Sequence, residues 1–303
     1  MLAPHISVVN LGCRVNRVES DRITADLMRL GFAIVEPQDA DLIVINTCAV
    51  TGEAEAKTRK AVRHALAYPG EPYVVVTGCV VNLHPEELLE LSDRVIAEPS
   101  KIDVAERVCE VLGVESDSVP ACSDGEVVDA LGRSRLGVKI QDGCNNFCTY
   151  CVIPYTRGRI RSLPLDEMAR QAAHLAAEGY RELVLTGIEI ASYGRDLPGA
   201  LTLADAVETV AAAAPQMRLR LGSLEPTVIT ENFCRRAAAT GQVCRHFHLS
   251  LQSGCDRTLA RMNRKYNTAE FLACVERLRR YFPGCALTAD MITGFPGETE
   301  ADQ

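Results

Sequence analysis

The chain has 303 residues, 47% of them apolar, and a formal net charge of −8. This length and apolar content allow two domains of ordinary size. The sequence contains neither a run of eighteen apolar residues, which would predict a membrane span, nor a signal-peptide start, which would predict secretion. The acidic balance argues against a broad nucleic-acid surface, and thirteen cysteines without secretory features favour metal binding in a reducing cytosol over disulfides.

Three short apolar runs in the N-terminal third each end in a cysteine. The runs are ISVVNLGC, DLIVINTC and YVVVTGC, and they end at Cys13, Cys48 and Cys79. Between them, RVESDRITADLMRLG and EAEAKTRKAVRHALA have helical periodicity, and RVIAEP with KIDVAERVCEVLG predicts a fourth strand and a closing helix. Strands that alternate with helices predict a parallel sheet with right-handed crossovers, so we expect a Rossmann-like α/β domain.

The three strand-end cysteines are expected to converge. The carboxyl ends of parallel strands meet at one edge, where such sheets bind ligands. Three thiolates can hold three irons of a 4Fe-4S cube and leave the fourth iron open, so Cys13, Cys48 and Cys79 predict a cluster site. The alternative is that they are buried core cysteines, which is our prediction for Cys109 on its helix.

A polar stretch separates two predicted domains. Residues 115–135 are irregular and rich in Ser, Asp and Gly, as is typical of a linker. We therefore predict a first domain at 1–114 and a second at 136–303. Cys122, within the linker, is predicted to be a free surface thiol.

The run GCNNFCTYC contains the second group of cysteines. Cys144, Cys148 and Cys151 have the spacing C-x3-C-x2-C, which is neither the pair of a zinc ribbon nor the four-thiolate run of a ferredoxin. An open iron on a three-thiolate cube can bind and reduce a substrate or cofactor. The alternative is a zinc loop, which would need a fourth ligand nearby, and the next histidine, His174, lies inside a predicted helix.

Strands and helices alternate again from Leu136 and predict a partial barrel of TIM type, in which function sits at the carboxyl ends of the strands. Thr202, Thr230 and Thr268 are predicted N-caps. The sequence ends straight after the fifth strand, so we expect a barrel truncated at that strand. The strand candidates are LGVKIQ, RELVLTGIEI, MRLRLGSLEP, HFHLSLQSG and ALTADMITGF, and the helix candidates are LDEMARQAAHLAAEG, TLADAVETVAAAAP, TENFCRRAAATG, DRTLARMN and TAEFLACVERLRRYF.

Polar residues follow the strands of this second domain. The segments TGIE, SLE, SLQS and GFPGE are expected at one mouth, where carboxylates, amides and hydroxyls suit a zwitterionic ligand that carries adenine. Arg157, Arg159 and Arg161 form a basic stripe beside the cysteine motif. The stripe is either a solvated face or a contact to substrate phosphates.

The segments LGCRVNRVESD, NTCAVTGEAEAKTRKAVRHA, QDGCNNFCTYCVIPYTRGRIRSLP, LTGIEIASYG and SLQSG resemble the methylthiotransferases, which are radical S-adenosylmethionine (SAM) enzymes. The resemblance covers essentially the whole chain. The start Gly12-Cys13-Arg14-Val15-Asn16 differs from the Gly-Cys-Gln-Met-Asn typical of the isopentenyl-adenosine branch. The sequence is therefore closest to the branch that methylthiolates carbon 2 of N6-threonylcarbamoyladenosine at position 37 of tRNA, adjacent to the anticodon. The isopentenyl-adenosine branch and the branch that modifies a ribosomal-protein aspartate stay as alternatives.

The resemblance implies two 4Fe-4S clusters and SAM as cofactors. One cluster would bind SAM and reduce it to a radical that removes hydrogen from carbon 2 of the adenine. An auxiliary cluster would carry the transferred sulfur, and a second SAM would supply the methyl group. The implied ligands are Cys144, Cys148 and Cys151 for the first cluster and Cys13, Cys48 and Cys79 for the second.

The resemblance also implies contacts and partners. Glu189 would contact the SAM amino group, and Ser223, Gln252 and Arg264 are further candidate contacts. The partners would be tRNA, a sulfur donor and a reductant such as flavodoxin or ferredoxin, in the cytoplasm and without a membrane. The family normally continues with the rest of the barrel and a small basic RNA-binding (TRAM) domain. Neither occurs in these 303 residues, so we expect weak tRNA binding.

Two alternatives come from other classes. A two-cluster electron carrier would be expected to have closed four-thiolate clusters, whereas each group here has three cysteines. An inactive fragment is the other alternative, and it is suggested by the expected truncation. Formation of 5′-deoxyadenosine from SAM separates an enzyme from both.

The two cysteine groups predict the iron content. The reconstituted chain should hold about eight irons in two 4Fe-4S clusters, and replacing Cys144, Cys148 and Cys151 with Ala should remove about half of them. Iron analysis and the absorbance of the clusters measure this. A triple variant without iron, or a parent chain that holds only zinc, would contradict the two-site interpretation.

Overall fold

The computed structural model describes residues 4–114 and 135–302. The chain forms two compact units, Met1–Gly132 with Tyr155–Arg157 and Arg133–Pro154 with Gly158–Gln303. Most of the predicted linker, including Cys122, lies outside the described residues, so the domain limits stay predictions. None of the described helices is long and apolar enough to span a membrane.

A five-stranded parallel sheet forms the first unit. Its strands, in the order β2-β1-β3-β4-β5, are β1 (His5–Asn10), β2 (Ala33–Ile34), β3 (Leu42–Thr47), β4 (Tyr73–Gly78) and β5 (Val95–Glu98). The sequence predicted four of them and missed β2, because two residues are too few for an alternating pattern. The strand order reverses between β1 and β3, and open α/β sheets bind ligands at such a switch point.

Helices cover both faces of this sheet. They are α1 (Arg14–Arg29), α2 (Gly52–Leu66), the short α3 (Glu86–Leu89) and α4 (Val104–Leu112). Successive side chains of a strand point to opposite faces. Leu42 and Val44 of β3 therefore pack in the core with α1 and α4, whereas Ile43 and Ile45 pack with α2. Cys109 of α4 is buried in the first of these cores, as predicted.

The second unit has the predicted partial barrel. Its strands are β6 (Arg135–Asp142), β7 (Arg161–Ser162), β8 (Glu182–Gly187), β9 (Arg218–Leu221), β10 (His246–Gln252) and β11 (Ala286–Met291). Strands β6, β8 and β9 pair in parallel, β10 pairs in parallel with β11, and an isolated bridge joins Leu224 to Leu249 of β10. The two-residue β7, antiparallel to β6, was not predicted.

Helices follow the strands of the second unit. They are α5 (Ile153–Thr156), α6 (Leu165–Ala177), α7 (Leu203–Ala213), α8 (Glu231–Ala239), α9 (Asp256–Arg261) and α10 (Thr268–Tyr281). Two of the three predicted N-caps are confirmed, because Thr202 caps α7 and Thr230 caps α8. The prediction for Thr268 is wrong, because Asn267 caps α10: its side chain accepts from the backbone amide of Glu270 (2.9 Å), while the Glu270 side chain accepts from the backbone amide of Asn267 (2.8 Å).

This cap predicts a difference in stability between two neighbouring substitutions. Asn267→Ala should lower the free energy of unfolding by about 1 kcal/mol, because the first turn of α10 loses its side-chain acceptor. Thr268→Ala is the matched control and should change it by a few tenths at most, because its hydroxyl is not the cap. Urea denaturation of the three proteins measures both values. A larger loss in Thr268→Ala would show that the cap is assigned to the wrong residue.

Candidate functional site

The cluster loop (residues 143–151) leaves β6 through a glycine that no other residue can replace. Gly143 has a φ of +69°, and an added Cβ would lie 1.9 Å from the carbonyl oxygen of Arg159. The amide of the next residue, Cys144, donates to the carbonyl of Gly158 (3.1 Å). The loop is therefore fixed against residues 158–160, and Cys144 takes its position from that contact.

The three thiols of the cluster loop have the environment that a cluster site needs. Cys144 is buried, whereas Cys148 and Cys151 are partly exposed. Burial raises the pKa of Cys144 to about 11 and raises that of Cys151. The Asn146 amide donates to Cys144 Sγ (3.4 Å), and Arg264 Nη1 donates to Cys148 Sγ (3.2 Å). Hydrogen bonds to sulfur are among the features that tune iron-sulfur clusters, so these residues fit one.

A 4Fe-4S cube requires a different arrangement of protein ligands from that of a single metal ion. Within residues 4–114 and 135–302, no group of three or more His, Cys, Asp or Glu side chains is arranged to hold one ion. In a cube each thiolate binds its own iron, so the thiols need not surround one point.

Two carboxylates and an amide lie beside the cluster loop. Asn146 Nδ2 donates to Glu189 (3.0 Å) and to Glu225 (2.8 Å), so one amide bridges both acids. The Glu189 side chain keeps some exposed surface, but its carboxylate is enclosed by protein. Burial and the neighbouring carboxylate of Glu225 raise the pKa of Glu189 to about 8. A cation bound at this site would offset the repulsion between the two carboxylates.

Arg264 is the positive group of this site. Its side chain is buried, stacks on the Tyr266 ring at 5.1 Å and lies 3.6 Å from a Glu225 oxygen. The same guanidinium donates to Cys148, so it joins the carboxylate pair to the thiols. Two acids and one arginine can bind a ligand that carries an ammonium group and a carboxylate.

The structure brings together two of the four residues that were predicted to contact SAM. It brings Glu189 and Arg264 together through Asn146 and Glu225. Ser223 is exposed, and Glu225, two residues later, occupies the buried position. Gln252 ends β10 with a φ of +66°, and its carbonyl accepts from the Ile292 amide (2.8 Å). The sequence had marked Glu225 only as part of a strand end and gave no signal for Asn146.

The predicted basic stripe is wrong for one of its three arginines. Arg157 is buried in the first unit, where it donates to Glu19 (2.8 and 3.1 Å) and to Asn16 (2.6 Å). In the second unit, Arg159 is exposed and lies 5.1 Å from the centroid of the Phe147 ring, and Arg161 pairs with Asp142. The spacing of arginines along the chain does not reveal a buried partner far away in sequence.

In the first unit, the strand-end thiols (Cys13, Cys48 and Cys79) meet around Thr47. The carbonyl of Thr47 accepts from Asn16 Nδ2 (2.7 Å) and from the Cys79 amide (3.2 Å). Asn16 Nδ2 also donates to Leu11 (2.8 Å), so one amide ties the end of β1 to the end of β3. These are the strands that flank the switch point, and all three predicted cysteines follow strands at this edge.

One arginine places a positive charge near the strand-end thiols. Burial raises the pKa of the Cys48 thiol, and Cys79 and Cys13 add to the rise, whereas Arg157 opposes it. Arg157 reaches this group through Asn16, whose Oδ1 also accepts from Cys13 Sγ (3.8 Å). Three thiols that influence one another and lie near a fixed cation fit an iron-sulfur cluster.

Two family models match the chain. The radical SAM superfamily matches residues 138–303, and an uncharacterized protein family, UPF0004, matches residues 5–97. The chain is similar to the threonylcarbamoyladenosine tRNA methylthiotransferase MtaB of Chlamydia pneumoniae, with 38% identity over 97% of this chain and 69% of that protein. It is also similar to a tRNA-2-methylthio-N(6)-dimethylallyladenosine synthase of Syntrophomonas wolfei subsp. wolfei, with 36% identity over 97% and 69%.

Solved structures show the same fold at low sequence identity. The radical S-adenosylmethionine methyltransferase TsrM of Kitasatospora setae aligns with a TM-score of 0.69 and 16% identity, over 99% of this chain and 69% of that one. The match supports the fold, with its N-terminal parallel sheet and its partial barrel.

The close approach at the first strand end predicts a selective loss of iron. A Cβ on Gly12 would lie 2.4 Å from Cys48 Cβ, so Gly12→Ala should displace Cys48 and remove about half of the bound iron. Gly31→Ala is the matched control, because Gly31 also has a positive φ but has no atom within 4 Å of an added Cβ. Iron per folded chain, with circular dichroism to check folding, measures the difference. Equal iron in both variants would contradict the role of this edge.

Proposed function

Because the chain belongs to the radical SAM superfamily and to its methylthiotransferase family, we propose that it methylthiolates carbon 2 of N6-threonylcarbamoyladenosine in tRNA. It is a transferase that modifies tRNA. The observation that carries the site assignment is the acid pair Glu189 and Glu225, bridged by Asn146 next to the cluster loop. We place the reaction in the cytoplasm, where tRNA is modified.

The second unit is proposed to bind SAM and a 4Fe-4S cluster. Cys144, Cys148 and Cys151 would hold the cluster, which supplies the electron that cleaves SAM when it is bound. Glu189 receives the SAM ammonium group, and Arg264 orients the SAM carboxylate. The enclosed acid pair favours a ligand with positive charge on both its ammonium and its sulfonium, because a cation offsets the repulsion between two buried carboxylates. Ser223 and Gln252 remain candidates for weaker contacts.

The first unit is proposed to hold the auxiliary 4Fe-4S cluster on Cys13, Cys48 and Cys79. Three observations support this proposal: the strand ends converge on Thr47, they flank the switch point of the sheet, and Arg157 supplies a fixed positive charge. Asn16 orients Cys13 and holds the two strand ends together. On this proposal, 1–114 and 136–303 are the two domains, joined by the linker.

The substrate choice follows the relatives with the name threonylcarbamoyladenosine tRNA methylthiotransferase. The second candidate is dimethylallyl-adenosine, because a relative of nearly the same identity has that substrate in its name. A sulfur donor and a reductant of the flavodoxin or ferredoxin type would complete the reaction. Both candidate reactions use the same SAM site and differ only in the group on N6 of the adenosine.

The proposal predicts two products and one affinity change. The reconstituted protein, with SAM, reductant and tRNA that carries N6-threonylcarbamoyladenosine, should form 5′-deoxyadenosine and the 2-methylthio nucleoside, both measured by mass spectrometry. Glu189→Gln should raise the Kd for SAM about tenfold, because a charge-assisted hydrogen bond is lost. Glu178→Gln, on an exposed residue that ends α6, is the control and should leave it unchanged.

Different failures have different meanings. A protein that holds two clusters but forms no 5′-deoxyadenosine would be an electron carrier or an inactive fragment, and would contradict the proposed function. A protein that cleaves SAM and leaves every tRNA unmodified would contradict the methylthiotransferase proposal. Equal SAM affinity of the parent and Glu189→Gln would remove Glu189 from the SAM site.

A further inference from the structure

The cluster loop presents an aromatic ring at the surface of the second unit. Phe147 precedes Cys148, and its side chain is 36% exposed. Its φ of +49° lies in the left-handed region, which a bulky residue adopts only when its surroundings hold it there. Asn263 provides that hold, because its Nδ2 donates to the carbonyls of Asn146 (3.2 Å) and Phe147 (3.0 Å). The ring is therefore presented by a fixed backbone.

A guanidinium is fixed next to this ring. The Arg159 guanidinium carbon lies 5.1 Å from the Phe147 ring centroid. The segment that carries Arg159 is attached to the cluster loop by two hydrogen bonds, from the Cys144 amide to the Gly158 carbonyl (3.1 Å) and from the Ile160 amide to Asn145 Oδ1 (3.4 Å). Ring and cation therefore form one rigid feature.

Arg159 differs from the other two arginines of the segment in its ionic partners. Arg157 pairs with Glu19, and Arg161 pairs with Asp142. In the part of the chain that the structure describes, no carboxylate forms an ion pair with Arg159. A second cation lies close by, because Lys265 Nζ is 2.7 Å from the Asn263 side chain that holds the loop. The surface at Phe147 thus suits an anionic group next to a flat ring.

The two candidate substrates differ in the charge of the group on N6 of the adenosine. The threonylcarbamoyl group on N6 carries a carboxylate, whereas the dimethylallyl group is a hydrocarbon. A guanidinium can bind a carboxylate through two parallel hydrogen bonds, and an aromatic ring can stack on an unpaired base. The proposed partner of the SAM carboxylate is a different residue, Arg264, whose side chain is buried next to Cys148.

We propose that Phe147 and Arg159 form the recognition site for the N6 group of the substrate, in which Arg159 binds the threonylcarbamoyl carboxylate and Phe147 stacks on the base. This inference rests on the proposed function, since it assigns the specificity of that same site. It explains how the chain would choose a charged N6 group over an apolar one, using residues outside the SAM contacts.

The test compares two RNAs that differ in one charge. An anticodon stem-loop with N6-threonylcarbamoyladenosine is titrated against the cluster-loaded protein, and so is the same RNA with the threonyl carboxylate converted to an amide, at matched salt. The parent protein should bind the carboxylate RNA about tenfold more tightly. Arg159→Gln, which keeps a stem over the ring but removes the charge, should bind both RNAs equally. Arg161→Gln is the matched control and should weaken both by the same factor, keeping their ratio.

The results separate this inference from the proposed function. A parent protein without a preference, or an Arg159→Gln protein that keeps it, would overturn the inference even if the 2-methylthio product forms. A preference that Arg161→Gln abolishes would assign the site to Arg161 and also overturn it. Preferential binding without any methylthio product would sustain the recognition site and contradict the proposed function. Iron content and the Kd for SAM show that each variant is folded, and Arg159→Ala repeats the test if Arg159→Gln is poorly loaded.

Discussion

Enclosed negative charge is the constraint around which the second unit is organised. Asn146 of the cluster loop, which carries three thiols, also holds two carboxylates, and burial raises the pKa of both Cys144 and Glu189. Burial therefore favours the protonated, neutral form of both groups. On the proposed function, iron and a cationic ligand would take the place of those protons, so loading the site would release them. Asn146 and Arg264 hold the acids in position, because Asn146 donates to both carboxylates and Arg264 lies 3.6 Å from a Glu225 oxygen.

In the first unit, the backbone geometry of the sheet brings the three candidate ligand thiols together. Its cysteines come from three separate strands, so their convergence depends on the register of a parallel sheet. The carbonyl of Thr47 and the side chain of Asn16 fix that register at the switch point. A single loop with close cysteine spacing needs fewer such supports. Close spacing within one loop thus brings together the thiols of the second unit, whereas the topology of the sheet brings together those of the first.

The sequence was sufficient to predict those site residues that lie at the end of a recognisable apolar strand. Strands with a cysteine at their end are visible as apolar runs, and Glu189 lies two residues after the apolar run of β8. The sequence failed where the answer depends on a distant partner. It preferred Ser223 to Glu225, because both follow the same strand and only packing decides which is enclosed. It placed Arg157 in an exposed stripe, because nothing near Arg157 in the chain identifies Glu19 as its partner.

The ion pair between Arg157 and Glu19 makes the first unit depend on a residue that is synthesised late in the chain. Glu19 is buried in the first unit, where Lys101 and Arg157 both bind it. The ribosome completes every strand of that unit's sheet long before it reaches Arg157. Before Arg157 is synthesised, the buried Glu19 carboxylate has only one of these two cationic partners, so we expect the first unit to be less stable until then. All six candidate ligand cysteines have been synthesised by that point, since Cys151 precedes Arg157, so the first unit would reach its full stability only after every candidate ligand is present.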